Sequence, residues 1–193
     1  MLLSINFQKA LAYIGSPKLI RRDTVVPADF PECVNSTYRA GYDWLYQYER
    51  DMAGLLAPWL KPYRYDLIGE KGILCEALSN AFSHGHGKDP RKTIKVEVYL
   101  GERGLLVRME DSGKGFNVDK VYQSYLKKKI YYHTAGNGIH LMASSHRFGI
   151  FYSPVGATFH LLYLFDENME CLNGSTAANA PVSRRHVKKV PIG

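Results

Sequence analysis

The chain is short of cysteine, of long apolar runs and of any phosphate-loop signature. Its three cysteines, Cys33, Cys75 and Cys171, are widely spaced and odd in number. That excludes a disulfide framework or a paired CxxC metal site and points to a reducing, cytoplasmic setting. No stretch approaches the roughly 18 apolar residues of a membrane-spanning helix, so no membrane span is expected. The opening MLLSINFQKALAYIGSPK has no basic region ahead of a clean apolar stretch, so no secretory signal is expected either. GxxxxGK[ST] is absent, as is a GxGxxG following a first strand. Their absence excludes the phosphate-loop and dinucleotide-fingerprint classes.

What is present is enough for one sizeable core. The 193 residues are 46% apolar, 12% aromatic and 22% charged, too apolar for a globally disordered chain. Twenty-five Lys and Arg against 18 Asp and Glu leave a net charge of +7. Such a balance suits an anionic partner: nucleic acid, nucleotide phosphate or an acidic protein. Lys114, Lys120, Lys127, Lys128 and Lys129 stand against the single acid Asp119 between residues 114 and 136, and Arg184, Arg185, Lys188 and Lys189 mark the tail. No aromatic-basic signature accompanies them, so nucleic acid is the disfavoured partner.

Periodicity and turn residues give the order of elements. Residues 1–20 read as a weakly amphipathic extension and 21–27 as a short edge strand stopped by Pro27. A helix is expected from Asp29 or Pro31 to about Ala57, ahead of Pro58, and a second from about Tyr65 to Ser83. TIKVEVYL and GLLVRME, separated by Gly101-Glu102-Arg103-Gly104, read as a hairpin. A long lysine- and tyrosine-rich segment comes next, then a short helix from Asn137 to about His146. RFGIFYS and ATFHLLYLF, joined by Pro154-Val155-Gly156, form a last strand pair, and residues 166–193 read as a mobile basic tail. The expected architecture is a two-layer α+β sandwich: a mixed, mostly antiparallel sheet with helices on one face, spanning residues 21–165.

The second helix carries the first chemical signal. Leu74, Cys75, Leu78, Ala81 and Phe82 form an apolar stripe, while Glu76, Asn80 and His84 lie four apart on another face. A carboxamide oxygen suits a hard cation such as Mg²⁺ and a carboxylate can take a proton. A solvated helix face has the same spacing, so the pair gains meaning only from the glycine clusters later in the chain. Asp111-Ser112-Gly113-Lys114-Gly115-Phe116 closes a strand; it fits an ordinary turn or a backbone that lets a flat base approach, with Asp111 accepting from an exocyclic amine. Gly136-Asn137-Gly138-Ile139 opens a helix, whose free N–H groups suit phosphate as well as a simple hinge. Gly156-Ala157-Thr158 precedes the final strand.

Taken in order, E-x-x-x-N, D-x-G-x-G-F, G-x-G-I-x-L and G-A-T resemble the GHKL ATPase superfamily, which includes histidine kinases, gyrase-type ATPases and anti-sigma factor kinases. With Val26-Pro27-Ala28 before the first helix and Glu76-Ala77-Leu78-Ser79-Asn80-Ala81 leading to His84-Gly85, the sequence is most similar to the anti-sigma factor serine kinases. No dimerisation helix with a phosphoacceptor histidine is evident. The resemblance implies ATP and Mg²⁺ as cofactors, Glu76 as general base and Asn80 as the Mg²⁺ ligand. It implies that Asp111 binds the adenine amine with Thr158 supporting it through water, that Gly113 and Gly115 shape the base pocket, and that Gly136 and Gly138 hold phosphates beneath a lid of about residues 117–135. His84, Phe116, Asn137 and Ile139 join them as cofactor-binding positions. The implied partners are an anti-anti-sigma-type substrate bearing a serine and a sigma factor, with pairing of two copies through the first helix, where Tyr42, Trp44, Tyr46 and Tyr48 cluster. The sequence departs from that family at His133-Thr134-Ala135, where an arginine is often found. Two other readings remain open: a nucleotide-gated binding module without turnover, and a detached catalytic domain for a histidine on another chain.

Overall fold

The computed structural model describes residues 2–31, 41–60, 64–67, 72–126 and 147–165. It is an α+β fold built on a five-stranded open sheet: β1 (Lys18–Val25), β2 (Ile94–Leu100), β3 (Gly104–Glu110), β4 (Gly149–Tyr152) and β5 (Thr158–Leu164), in the order β1-β2-β3-β5-β4 with every neighbouring pair antiparallel. The expected hairpin is β2–β3, in register from Lys95↔Glu110 to Leu100↔Leu105. The expected edge strand begins earlier than the sequence suggests, at Lys18, with a register shift between Leu19 and Arg21.

Alternation along these strands decides what each face of the sheet meets. Ile94, Val96, Val98, Leu105, Val107, Met109, Phe159 and Leu161 point to one side and are buried there against α2 (Asp43–Leu60) and α4 (Ile73–Asn80). Leu45, Met52, Leu56, Leu74 and Leu78 supply the helical half of this core, each fully buried side chain contributing about 1.5–3 kcal/mol. The sequence expects two helices on this face, but the first does not open at Asp29 or Pro31: Pro27–Asp29 is a short 3-10 turn, Phe30 is extended, and α2 starts at Asp43 after Gly41 at φ +83°. The N-terminal extension adds a helix on the other face: α1 (Phe7–Ile14) is capped by Asn6, whose side chain accepts from the Lys9 N–H at 2.9 Å, and ends at Gly15. Its Ala10 and Ile14 pack on Leu106, Phe151, Leu162 and Leu164.

Three local departures have physical reasons. Helix α2 runs through Pro58 to Leu60. Proline at this position removes one hydrogen bond in the last turn, while the extra turn seats Leu60 in the core with no exposure. The second helix is interrupted at Gly72: α3 spans Arg64–Leu67, and α4 starts at Ile73 after Gly72, which takes extended backbone as its N-cap. A helix that the sequence pattern does not predict, α5, spans Val118–Leu126; the Asn117 side chain accepts from the Lys120 N–H at 2.8 Å and so starts it. Among the described residues no helix is long and apolar enough to cross a membrane. Trp44 and Tyr48 are buried in the chain's own core, so these two aromatics act in the fold of the single chain.

Candidate functional site

The site is built where α4 ends and β3 runs out. On α4, Glu76 and Asn80 are one turn apart and half-buried, and the Asn80 Nδ2 donates to Glu76 Oε1 at 3.0 Å. With the amide so engaged, its Oδ1 remains an acceptor, and Glu76 keeps its second oxygen. A regular helix would carry His84 onto the same line. Instead Ala81–Gly85 forms a single π-turn, closed by the His86 N–H donating to Ala81 O at 2.9 Å. The wider turn inserts a residue into the helical repeat, as such bulges do near functional sites. His84 is left exposed, and Gly85 and His86 are the residues turned inward.

That turn is in contact with the end of β3. Asp111 is half-buried, and its Oδ1 accepts from the Gly113 N–H at 2.7 Å. A side chain on Gly85 would collide with the Asp111 carboxylate, and a Cβ on Gly113 would sit 2.6 Å from Gly85 Cα. Glycine at both positions therefore lets the strand-end turn and the π-turn touch. Burial raises the Asp111 pKa above the ordinary carboxylate value, opposed by the Gly113 N–H and by His86. His86 itself is only 2% exposed, and neither ring nitrogen finds a partner in hydrogen-bond geometry. Burial lowers its pKa, with Asp111 pulling the other way.

The second turn meets the β4–β5 connection. The Phe116 N–H donates to Val155 O at 3.1 Å and the Asp111 N–H to Ala157 O at 3.1 Å. Gly115 has φ +69°, and a side chain there would overlap the Val155 carbonyl, so this contact requires glycine. Phe116, 37% exposed, stands edge-on to Tyr152 with ring centres 5.0 Å apart. Tyr152 joins the two halves of the site: burial raises its hydroxyl pKa, and the carboxylates of Glu76 and Asp111 both add to the rise. Glu76 and Asp111, 35 residues apart in sequence, thus act on one phenol.

The structure therefore brings together Glu76, Asn80, Asp111, Gly113, Gly115 and Phe116. Thr158 lies beside this group: it is buried, pairs with Glu110, and by strand alternation shares the sheet face of His160 while Ala157 bonds to Asp111. Gly136, Asn137, Gly138 and Ile139 lie outside the described residues, as do the C-terminal part of the expected lid from residue 127 onward and the tail 166–193. Sequence reasoning missed His86, Tyr152 and Ala157. The glycines flanking His86 in the HGHG run were the only signal for it; nothing local marks Tyr152, which arrives from a different strand. Among the described residues no cluster of three or more His, Cys, Asp or Glu side chains forms a metal cage. A single amide oxygen beside one carboxylate still fits Mg²⁺, which takes few protein ligands when phosphate oxygens supply others. A separate cleft of about 770 Å³ opens on the α1 side of the sheet and shares only Phe116 and Tyr152 with this site.

Residues 71–146 match the family model of the histidine kinase-like ATPase domain. A stretch of 95 residues is 35% identical to Sensor protein VraS of Staphylococcus saprophyticus, covering 49% of this chain and 21% of that protein. The same length is 34% identical to Sensor protein VraS of Staphylococcus epidermidis and of Staphylococcus aureus, again covering 49% of this chain and 21% of each. The match thus spans about a fifth of these relatives. The family match begins just ahead of α4 and extends past Asp111 and the second glycine cluster, and the open antiparallel sheet with its helices is consistent with the GHKL ATPase fold.

Proposed function

We propose that the chain is an ATP-binding regulatory domain that moves a phosphoryl group to a protein acceptor. The observation that carries this is the contact between the α4 end and the β3 end: Gly85, in the π-turn that follows Asn80, lies against the Asp111 carboxylate. In this reading adenine lies over the Gly113–Phe116 turn with its amine toward Asp111, and the phosphates extend toward Asn80. Asn80 Oδ1 would hold Mg²⁺, which when bound offsets phosphate charge. Glu76, with one oxygen engaged by Asn80 at 3.0 Å, uses the other to take the proton of an acceptor hydroxyl.

The acceptor is taken in the first instance from the resemblance: a serine on an anti-anti-sigma-type partner, with a sigma factor as the sequestered protein. The similarity to sensor proteins favours a second reading, in which the acceptor is a histidine. Acid stability separates them, since phosphoserine survives acid and phosphohistidine does not. Nucleotide binding itself is tested by titrating the chain with ATP in the presence and absence of Mg²⁺. Asn80→Ala is expected to abolish the Mg²⁺ dependence and Asp111→Asn to weaken ATP relative to GTP. Equal ATP affinity in wild type and both variants would remove the nucleotide from this site. Equal phosphotransfer by wild type and Glu76→Gln would remove Glu76 as the base. Tight ATP binding with no transfer to any acceptor would leave a nucleotide-gated binding module.

A further inference from the structure

The cleft on the α1 side lies between a fixed wall and a loosely held one. The N-terminal segment is fixed: Leu2 pairs with Ile150, the Leu3 N–H donates to Ile150 O at 2.7 Å, and Ala10 and Ile14 of α1 are fully buried on the sheet. The facing wall is α5, which among the described residues has only sparse contact with the other elements. Elements held by few contacts are the ones that move at little cost. The root of α5 is pinned, because the Phe116 N–H donates to Val155 O at 3.1 Å. Movement of the helix therefore pivots beyond Phe116, and the cleft of about 770 Å³ is the space into which it can swing.

The two walls are complementary. Ile5 and Phe7 on the N-terminal side and Val118 and Val121 on α5 line the cleft, and all four are only half-buried. Bringing them together removes apolar surface from water. Lys9 on α1 and Asp119 on α5 line the same cleft, are exposed, and form no ion pair among the described residues. Opposite charges on two apolar walls fix the register in which one meets the other.

We propose that α5 closes onto the N-terminal segment, packing Val118 and Val121 against Ile5 and Phe7 and pairing Asp119 with Lys9. Phe116 and Tyr152 belong both to this cleft and to the candidate nucleotide site. Closure therefore covers the Phe116 edge and slows the escape of a base lying on the Gly113–Phe116 turn. This last consequence rests on the nucleotide reading; the closure itself does not.

The test is disulfide trapping in the full chain carrying Cys33→Ser and Cys171→Ser. Lys9→Cys with Asp119→Cys should crosslink under mild oxidation, which requires Cα atoms within about 7 Å. Lys9→Cys with Lys120→Cys, whose second position does not line the cleft, should crosslink far more slowly. Adding Val121→Asp to the first pair should suppress its crosslink. Equal rates for the two pairs, or a rate unchanged by Val121→Asp, overturn the closure. The charges are read separately in the otherwise wild-type chain by hydrogen exchange of the α5 amides. Lys9→Asp and Asp119→Lys should each speed exchange roughly two- to fivefold, the scale of an exposed ion pair. The double swap should recover part of that loss, the cycle cancelling what Asp119 does for its own helix start. No recovery overturns the Lys9–Asp119 pairing. Release of a fluorescent ATP analogue should be several-fold slower from the oxidised first pair than from the reduced one. Equal release overturns the effect on the site. Absence of analogue binding in both forms and in wild type counts against the nucleotide reading and leaves the crosslink result standing.

Discussion

The two faces of the sheet are built from the same strands and by different means. On the α2/α4 face, alternate residues of β2 and β3 are Ile94, Val96, Val98, Leu105, Val107 and Met109, all at or below 2% exposure. On the α1 face the intervening residues include Lys95, Glu97, Tyr99, Arg108 and Glu110. Here α1 has only eight residues, about 12 Å of helix, and covers the part of the face carrying Leu106, Leu162 and Leu164. The uncovered part is tied by charge. Arg22 and Arg108 reach Glu97 at 3.0 and 2.8 Å, Tyr99 donates to Glu97 at 2.9 Å, and Arg108 also meets Glu110. One face is continuous packing, which supports α4, the helix that carries Glu76 and Asn80. The other is a short apolar patch beside an ion-pair network, and the cleft lies on this side.

This contrast can be broken at four points. The largest loss is expected from Leu78→Ala, on α4 and 1% exposed: about 2–5 kcal/mol of stability by chemical denaturation. A loss below about 1 kcal/mol would mean that the α4 face is not the dominant core. Next is acid titration of the opposite face. Burial, aided by Arg108, lowers the His160 pKa from 6.5 to about 4. The unfolded chain therefore takes up a proton that the folded one refuses. Stability is full above pH 6.5 and falls as pH drops toward 4, by roughly 3 kcal/mol in total. His160→Phe should flatten that window, and an unchanged pH profile would mean the ring titrates normally.

A smaller effect is expected from Arg108→Met. Burial pushes Glu97 up, but the hydrogen bonds from Arg108, Tyr99 and Arg22 outweigh it and hold the carboxyl below its ordinary value. The stability this supplies is present above about pH 4.5 and is lost as pH falls through the lowered pKa. Removing Arg108 should cost about 1–3 kcal/mol near neutrality, and less in acid. Equal losses at pH 7 and pH 3 would separate Arg108 from Glu97. The smallest is Arg22→Ala: its side chain is 66% exposed, and such a partner contributes below about 1 kcal/mol. A larger loss would show that the network acts as one unit.

Much of the strand layer was legible because period-two alternation is a local signal: TIKVEVYL and GLLVRME can bury only one face each. The chemical residues were legible in part. Glu76 and Asn80 stand out by helical spacing, and the hydrogen bond between them realises it. His84 fits the same spacing, but the π-turn after Asn80 changes the repeat and leaves it exposed. Pro58 marked a stop that the burial of Leu60 overrode. Thr158 was read by its neighbours in sequence, whereas strand alternation sets it on the face of His160.

The sequence by itself determined which segments alternate, which turns require glycine and which residue types stand ready for a nucleotide, because those properties depend on neighbours a few residues away. Tertiary structure alone decided that Gly85 abuts Asp111, that Tyr152 lies under the influence of both Glu76 and Asp111, and that α1 closes one side of a cleft over His160. Each of these joins segments tens of residues apart. Their proximity is fixed by sheet order and by the packing of whole helices, which no local pattern encodes.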